Sequence, residues 1–201
     1  MDAELYQQYL ALKDAGKKEQ AKMVLDRFIA SFQSAEEKEQ WVRAFLESGD
    51  FGDRIRHEIY EQLVFPVLLK GYHAKDPWSL LWLAKTNLNL ISASWLHSQV
   101  DSRSPYELLR EAYAIAPDEA IRNELLLADL RGYAYCEHEW PAGILYDGGL
   151  GATLEQCDDL LQEIEFTRTL DREGRHKLYL DSFEAKVKEY KARLSSRRSG
   201  E

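Results

Sequence analysis

Residues that form turns are scarce in this chain. It holds 11 glycines and 5 prolines among 201 residues, and they fall into a few widely spaced clusters. A sandwich or barrel of many strands needs a turn signal about every 8–12 residues, so this scarcity argues against such a fold. It favours helices joined by short connections, in a chain of the length usual for one domain.

Cysteines, a secretory leader and a long apolar run are also scarce or missing. Cys136 and Cys157 stand alone, at no spacing typical of a metal site, which is the pattern of two reduced thiols. The start, MDAELYQQYL, lacks the basic and apolar segments of a secretory signal. The most apolar stretch is interrupted at residues 85–87 and at Asn89, so it falls short of the roughly 18 uninterrupted apolar residues of a membrane span. We therefore expect a cytoplasmic protein without membrane association.

Charge is almost missing from the middle of the chain. Lys85 is the only charged side chain between Asp76 and Asp101, in a region with three tryptophans and seven leucines or isoleucines. At about 100° per residue, these apolar positions surround a helix on all sides. Such a helix must be covered from several directions. We therefore predict that residues 76–98 form the central helix of an all-α domain.

Apolar spacing and capping signals predict further helices on both sides of this stretch. Two capping boxes, Ser34-Ala-Glu-Glu37 and Thr153-Leu-Glu-Gln156, and the candidate N-cap Asp53 mark helix starts. Pro66 should kink or restart its helix near Phe65. The predicted helices cover residues 3–14, 17–33, 34–48, 54–72, 76–98, 105–116, 118–139, 153 onward and 173–194. We thus predict about nine helices in a single domain over residues 1–195, with a loop at 140–152 and a disordered tail at 196–201.

Two segments resemble the second helix of a tetratricopeptide repeat. Gly16-Lys-Lys-Glu-Gln-Ala21-Lys-Met-Val-Leu25-Asp-Arg-Phe28-Ile29 is similar to that family's order of glycine, small residue and packed apolar positions. Glu107-Leu-Leu109-Arg-Glu-Ala112-Tyr113-Ala-Ile-Ala-Pro117-Asp118 is similar to its helix closed by Pro-Asp. The resemblance implies antiparallel helix pairs, stacked as a short tetratricopeptide-like α-solenoid with degenerate repeats. An irregular helical bundle stays open as the alternative.

The net charge of −9 is unevenly distributed along the chain. Residues 118–165 contain twelve Asp and Glu residues against Arg122 and Arg131, whereas residues 182–201 contain six Lys and Arg residues against three Glu. An acidic field repels nucleic acid and anionic membranes and attracts basic surfaces. We therefore expect a basic protein or peptide as the partner and no nucleic acid. The alternative is that these are solvated faces that only aid solubility.

No motif for catalysis or for a cofactor stands out. Cys136, His138 and Glu139 lie close in sequence, but His138 would lie about 200° from Cys136 on a helix, which does not suit a zinc site. The segment 148–153 resembles a phosphate-binding loop in outline, but it lacks the lysine and has acidic neighbours. Adjacent carboxylates on a helix point about 100° apart, so they are not preset for acid–base catalysis. We predict no metal, no cofactor and no enzyme activity.

These features favour a non-catalytic module that binds a partner protein or peptide through an acidic and aromatic surface. Polar side chains of the central helix are placed either to line a groove for an extended peptide or to bond to neighbouring helices. The predicted contact residues are Asn87, Ser94, His97, Glu124, Arg131, Glu139, Trp140, Tyr146, Asp147, Asp158 and Asp159. Two alternatives stay open: an acidic immunity or inhibitor protein that neutralises a basic toxin, and a helical enzyme with a carboxylate or metal site.

Overall fold

The computed structural model describes residues 1–51, 54–138, 143–146 and 150–198. The chain forms two compact units, Met1–Ala116 and Pro117–Glu201. Within the described ranges the regular structure is helical apart from one short pair of strands, so the fold is all-α, as predicted. None of the helices described there is both long and apolar enough to cross a membrane. The prediction of a single domain over residues 1–195 stays a prediction.

Helix α6 (Pro77–Lys85) is the helix on which the first unit packs, because α5 (Phe65–His73) and α9 (Pro105–Ile115) both lie against it. Helix α3 (Ala35–Ser48) lies on α5, and α1 (Ala3–Asp14) and α2 (Lys18–Ala30) pack on each other. The remaining elements are α4 (His57–Ile59), a π-helical segment (Tyr60–Val64), α7 (Asn87–Ile91), α8 (Ser94–His97) and a 3₁₀ turn (Ser98–Val100).

The apolar stretch at the centre of the chain is helical, but it is not one helix. In α6 five consecutive residues, Leu80–Ala84, are buried, so this part is covered on all sides as expected. The helix ends at Thr86, where φ is −99° and ψ is 21°. The hydroxyl and the N–H of Thr86 both donate to the carbonyl of Trp82, at 2.6 and 2.9 Å. A second break lies at Ala93, with φ −134° and ψ 79°. The expectation of one helix over residues 76–98 is therefore wrong, because the two breaks divide the stretch into α6, α7 and α8.

Pro66 restarts a helix, as predicted. It lies in the first turn of α5, directly after the π-helical segment, in which the N–H of Phe65 donates to the carbonyl of Tyr60 five residues back. Proline has no N–H to offer the carbonyl of Gln62 four residues back. The ammonium of Lys38 on α3 lies 3.4 Å from that carbonyl oxygen and replaces the missing donor.

Side-chain caps begin several helices where the sequence predicts them. A short polar side chain satisfies backbone N–H groups that have no partner within the first turn. In five helices the side chain of the cap residue accepts the N–H of the residue three positions later. These cap residues are Ser34, Asp76, Ser104, Asp118 and Thr153. The predicted cap Asp53 lies outside the described residues.

Helix α11 (Leu154–Leu170) organises the second unit, because α10 (Glu119–Cys136) and α12 (Lys177–Arg198) both pack against it. The other elements are the strands β1 (Leu145–Tyr146) and β2 (Leu150–Gly151). The strands form an antiparallel pair in register Leu145↔Gly151 and Tyr146↔Leu150, inside the region expected to be a loop. The core comprises Tyr133, Cys136, Ile144, Ala152, Cys157, Leu160, Ile164, Leu180, Phe183 and Val187.

Two helix ends in this unit differ from the predicted boundaries. Helix α10 ends at Cys136, three residues before the expected end at Glu139. Helix α12 continues to Arg198, so residues 196–198 are helical where a disordered tail was expected. Residues 199–201 lie outside the described part of the chain.

Helices α5 and α6 approach each other closely at a glycine. A Cβ on Gly71 would lie 1.9 Å from Oγ and 2.5 Å from Cβ of Ser79. We expect Gly71→Ala to lower the free energy of unfolding of the first unit by about 1–3 kcal/mol, because the added methyl group forces the helices apart. Four of the five tryptophans lie in this unit, so urea unfolding followed by tryptophan fluorescence measures the change.

Gly132→Ala on α10 is the matched control. A Cβ there meets nothing within 4 Å, so the substitution should stabilise the second unit by about 0.5–1 kcal/mol through helix propensity alone. Both cysteines lie in the second unit, so thiol labelling during unfolding reports on it. An unchanged midpoint for Gly71→Ala would contradict the close approach of α5 and α6.

Candidate functional site

Helices α7 and α8 of the first unit expose large apolar side chains. Leu88, Ile91 and Trp95 are 57%, 61% and 51% exposed, at positions i, i+3 and i+7 of the sequence. Their exposed neighbours Ser92, Ser94, Ser98 and Gln99 are polar but uncharged. We call these seven residues the neutral face. Contiguous exposed apolar side chains with a polar rim mark interaction sites more often than isolated ones do.

The opposite side of the same segment is anchored in the core. Leu90, Leu96 and Val100 are at most 1% exposed, so each short element between residues 87 and 100 has a buried residue beneath it. Because buried residues alternate with exposed ones along this segment, the buried residues fix the direction in which the exposed side chains point. The neutral face is therefore a preformed surface of the unit.

Asn89 fastens α7 to the segment that precedes α4. It is buried, its amide nitrogen donates to the carbonyl of Ile55 (2.7 Å), and its carbonyl oxygen accepts the N–H of Ile55 (3.2 Å). The guanidinium of Arg54 donates to the carbonyl of Leu88 (2.9 Å). Asn89 thus forms hydrogen bonds with both the N–H and the carbonyl of Ile55, as a residue of a neighbouring strand would. These bonds also satisfy the buried side-chain amide of Asn89.

The connection after the neutral face is held by hydrogen bonds despite backbone strain. Asp101 and Ser102 both have left-handed φ values, 54° and 52°, which cost energy in residues other than glycine. The hydroxyl of Tyr72 donates to Asp101 Oδ2 (2.7 Å), and Nε2 of His97 lies 3.0 Å from the carbonyl of Arg103. These contacts fix the end of α8 beside Trp95.

The residues predicted to line a groove here have different roles. Ser94 is exposed and belongs to the neutral face, whereas Asn87 and His97 are half-buried at its edge. The imidazole of His97 is engaged with the Arg103 carbonyl. Leu88, Ile91 and Trp95 were missed as surface residues, because an apolar pattern around the whole helix predicted that all three would be covered.

The acidic surface predicted for the second unit is partly neutralised by the unit itself. Lys186 of α12 pairs with Glu137, and Lys191 pairs with Asp158 of α11. The basic segment at the end of the chain is therefore the partner of part of the acidic region. Asp159, one residue on from Asp158, is exposed.

The other predicted contact residues of this unit are spread over separate elements. On α10, Glu124 is half-buried and Arg131 is exposed. Tyr146 of β1 is half-buried and packs on the core. Glu139, Trp140 and Asp147 lie outside the described residues. Glu124 and Arg131 lie seven residues apart on α10, and α10 contacts β1, the strand that contains Tyr146.

A cleft of about 510 Å³ in the second unit surrounds the buried Arg122. Its guanidinium donates to the carbonyl of Leu170 at the end of α11 and to the carboxylate of Glu119. Asp171 accepts the N–H groups of Arg175 (3.0 Å) and His176 (2.8 Å), directly before α12. The charged groups of the cleft therefore join helix ends to one another, and Arg122 is part of the architecture of this unit.

A groove of about 440 Å³ in the first unit, between α3 and α5, is also balanced in charge. Its Lys70 ammonium lies 3.2 Å from Glu39, and the guanidinium of Arg43 lies 3.4 Å from the same carboxylate. Lys38 is used by the carbonyl of Gln62. The cations of the groove therefore already have partners.

The chemistry of the two thiols does not favour catalysis. Burial raises the pKa of the Cys136 thiol to about 11, and it also raises the pKa of the Cys157 thiol. A protonated thiol is a poor nucleophile and a poor metal ligand at neutral pH. His138 is exposed whereas Cys136 points into the core. Among the residues that the structure describes, no three His, Cys, Asp or Glu side chains are grouped to hold a metal ion.

We expect Asn89→Asp to destabilise the first unit by about 2–4 kcal/mol at neutral pH. The introduced carboxylate keeps an acceptor for the Ile55 N–H but places an unpaired charge beside the Ile55 carbonyl. The loss should shrink on acidification, because protonation restores a donor. Asn87→Asp, on the same helix but half-buried, should change stability by no more than about 0.5 kcal/mol. Urea unfolding followed by tryptophan fluorescence distinguishes the two, and equal losses would contradict the role of Asn89.

Arg168 joins α11 to α12 by two ion pairs of 2.6 Å, with Asp181 and Glu184. Hydrogen bonds from Lys177 and then Arg168 lower the pKa of Asp181 below its usual 3.8. Hydrogen bonds from Lys188 and then Arg168 lower the pKa of Glu184 below its usual 4.5. These pairs stabilise the fold fully above the ordinary carboxyl pKa values, and the stabilisation is lost as the pH falls through the lowered ones.

We therefore expect Arg168→Gln to make the stability of the second unit less sensitive to pH below about 4.5. Unfolding is followed by labelling of the two thiols with dithiodipyridine, which reacts at acid pH. The matched control is Arg175→Gln, which removes a largely exposed cation that pairs with Glu173 (2.6 Å) and should leave the acid slope unchanged. If the free energy of unfolding falls equally steeply with acidification in both variants, Arg168 is not the cause of the acid sensitivity.

Comparisons of the chain with protein-family models, with curated proteins and with solved structures give no match.

Proposed function

We propose that this protein is a non-catalytic protein–protein interaction module and that it binds its partner through the neutral face of the first unit. The observation that carries the proposal is the exposure of Leu88, Ile91 and Trp95 on short helices whose other side is buried. About half of each of these side chains lies in water, so burial against a partner would supply roughly 0.8–1.5 kcal/mol for each one.

The composition of the neutral face suits a contact between proteins. The centres of protein interfaces are depleted in charge and enriched in aromatic residues, and their rims are polar. Tryptophan is among the residues that most often dominate binding energy. Trp95 supplies such an anchor, and Ser92, Ser94 and Gln99 supply a polar rim. A face held in place by Asn89 loses little conformational entropy on binding.

The acidic surface of the second unit supports a second candidate, an acidic inhibitor that covers a basic protein. The net charge of −9 and the exposed carboxylate of Asp159 favour it. The pairing of Glu137 and Asp158 with lysines of α12 reduces the free acidic surface and counts against it. The two candidates differ in the effect of salt, which weakens binding to a basic partner and has little effect on an apolar contact.

Tetratricopeptide-like stacking is compatible with this proposal but is not needed for it. Helix α6 packs on α5, which precedes it in the chain, and on α9, from which α7 and α8 separate it. Its packing partners are therefore not only its neighbours in the sequence, as they would be in a regular stack of repeats. The proposed contact residues lie on α7 and α8, outside both segments that resemble the repeat.

Site-specific photo-crosslinking tests the proposal. A benzophenone amino acid in place of Ile91 should crosslink to a defined protein in cells that produce this chain. The same amino acid in place of Met23, which is 67% exposed on α2, is the matched control and should not. Leu88→Glu should reduce the product from position 91 at least about tenfold, since a charge would be desolvated in the contact. Equal crosslinking from positions 23 and 91 would count against the neutral face.

A further inference from the structure

We propose that helix α10 carries a second contact surface, and that its occupant is a helix of a partner protein that presents one carboxylate between two apolar side chains. The surface consists of Leu127, Arg131 and Tyr135, and we call these three residues the α10 face. The inference goes beyond the proposed function, because the α10 face belongs to the second unit and the neutral face to the first. It is carried by an arginine without a carboxylate, placed between two exposed apolar side chains on one helix.

The α10 face is a stripe along a regular helix. Leu127 and Tyr135 are 46% and 50% exposed, and Arg131 between them is exposed as well. Residues four positions apart lie on one side of an α-helix, about 6 Å apart along its axis. The opposite side of α10 is anchored in the unit by the buried residues Ile121, Leu125, Asp129, Tyr133 and Cys136. The α10 face is therefore held facing the solvent.

Arg131 carries a positive charge that its own helix does not balance. The residues three and four positions away are Leu127, Ala128, Ala134 and Tyr135, so an ion pair at the usual helical spacing is not available. Most other cations of the unit pair with a carboxylate, namely Arg122, Arg168, Arg172, Arg175, Lys177, Lys186, Lys188 and Lys191. In the part of the chain that the structure describes, Arg131 forms no such pair. Its guanidinium thus keeps its N–H donors for an anionic group of a partner.

The surroundings of Arg131 favour a carboxylate of a protein over a phosphate of a nucleic acid. The region 118–165 is strongly acidic, so it repels polyanions. One carboxylate set among apolar groups suits a single guanidinium, which accepts it through two parallel hydrogen bonds. Leu127 and Tyr135 flank that pair with apolar surface, and arginine and tyrosine are enriched at contacts between proteins. The α10 face is therefore complementary to an acidic residue with apolar neighbours.

A helix fits the α10 face better than an extended segment does. The backbone groups of α10 are bonded within the helix, so an extended segment would find no backbone partners beside it. On a partner helix, side chains at positions i, i+4 and i+8 repeat the spacing of the α10 face. Rows of side chains at this spacing are the ridges by which two helices pack on each other.

The cleft of the second unit gives one apolar side chain of the partner helix a place to enter. Leu126 and Leu127 line this cleft of about 510 Å³. The charged groups of Arg122 and Asp171 in the cleft are already bonded within the unit. What the cleft offers a partner is thus its apolar wall beside Leu127. The expected order on the partner helix is a large apolar residue at the cleft, a carboxylate at Arg131 and an apolar residue at Tyr135.

Peptide display on phage, with the full chain as the target, tests the proposal. The probe is a library of alanine-rich helical peptides of about 16 residues, in which positions i, i+4 and i+8 are randomised. Selection should enrich Asp or Glu at the central position and large apolar residues at the two outer ones. A selected peptide should bind with a dissociation constant of about 10–100 µM, because three side chains make a small contact. Fluorescence anisotropy of the labelled peptide measures it.

Substitutions on both sides of the contact test the ion pair. Arg131→Glu should weaken binding of the selected peptide at least about tenfold, because two carboxylates would then meet. A peptide with arginine at its central position should bind the Arg131→Glu chain at least about threefold more tightly than the unchanged chain. Arg27→Glu makes the same change of charge at an exposed arginine of α2 and is the matched control, which should leave the affinity unchanged. Thiol labelling during urea unfolding verifies that the second unit of Arg131→Glu is folded.

Enrichment of peptides without a central carboxylate overturns the proposal, and so does an equal loss of affinity in Arg131→Glu and Arg27→Glu. A selection that enriches no peptide also overturns it. Peptides that lose affinity in Trp95→Glu but not in Arg131→Glu bind the neutral face. A selection that yields only such peptides overturns the α10 face and leaves the proposed function in place. Failure of crosslinking from position 91 would overturn the neutral face alone.

Discussion

The first unit depends on the burial of α6 over its whole circumference. Five consecutive residues from Leu80 to Ala84 are withdrawn from water, so helices must lie against α6 from more than one direction. Helices α5 and α9 do so, and α5 comes close enough that only a glycine fits at position 71. An isolated helix of nine residues is not stable in water, and α6 therefore owes its existence to these neighbours. The apolar sequence of α6 therefore determines how the segment packs more strongly than it determines that the segment is helical.

In the second unit, charge that looks unbalanced along the sequence is balanced in space. The acidic α11 meets the basic α12: Lys191 of α12 pairs with Asp158 of α11, and Lys186 of α12 pairs with Glu137 directly after α10. Arg168 of α11 pairs in the opposite sense, with Asp181 and Glu184 of α12. Exposed ion pairs contribute little stability one by one, but here they form a network with shared partners. A local excess of one sign in the sequence is therefore weak support for an external partner of the opposite sign when the same chain also carries a compensating segment.

Local chemistry predicted the helices and their starts well, because caps such as Ser34 and Thr153 act within one turn. The break at Thr86 was not predicted, since an apolar pattern around the helix looks the same for one long helix and for three short ones. The same ambiguity concealed Leu88, Ile91 and Trp95 as surface residues. The burial of Arg122 was not predicted, because its contact with Leu170 lies 48 residues away along the chain. Strands of two residues, such as β1, are too short to show alternation.

The π-helical segment Tyr60–Val64 has a consequence for how the residues around it are oriented. In an uninterrupted α-helix Ile59 and Leu68 would point about 180° apart, yet both are buried. The wider π-helical turn contains one additional residue, so the side chains of Ile59 and Leu68 point within about 80° of each other. The π-helical segment therefore realigns the buried face of the helical residues before it with the buried face of those after it. The extra residue is absorbed beside Pro66, so the helix presents a single side to its neighbours before and after the proline.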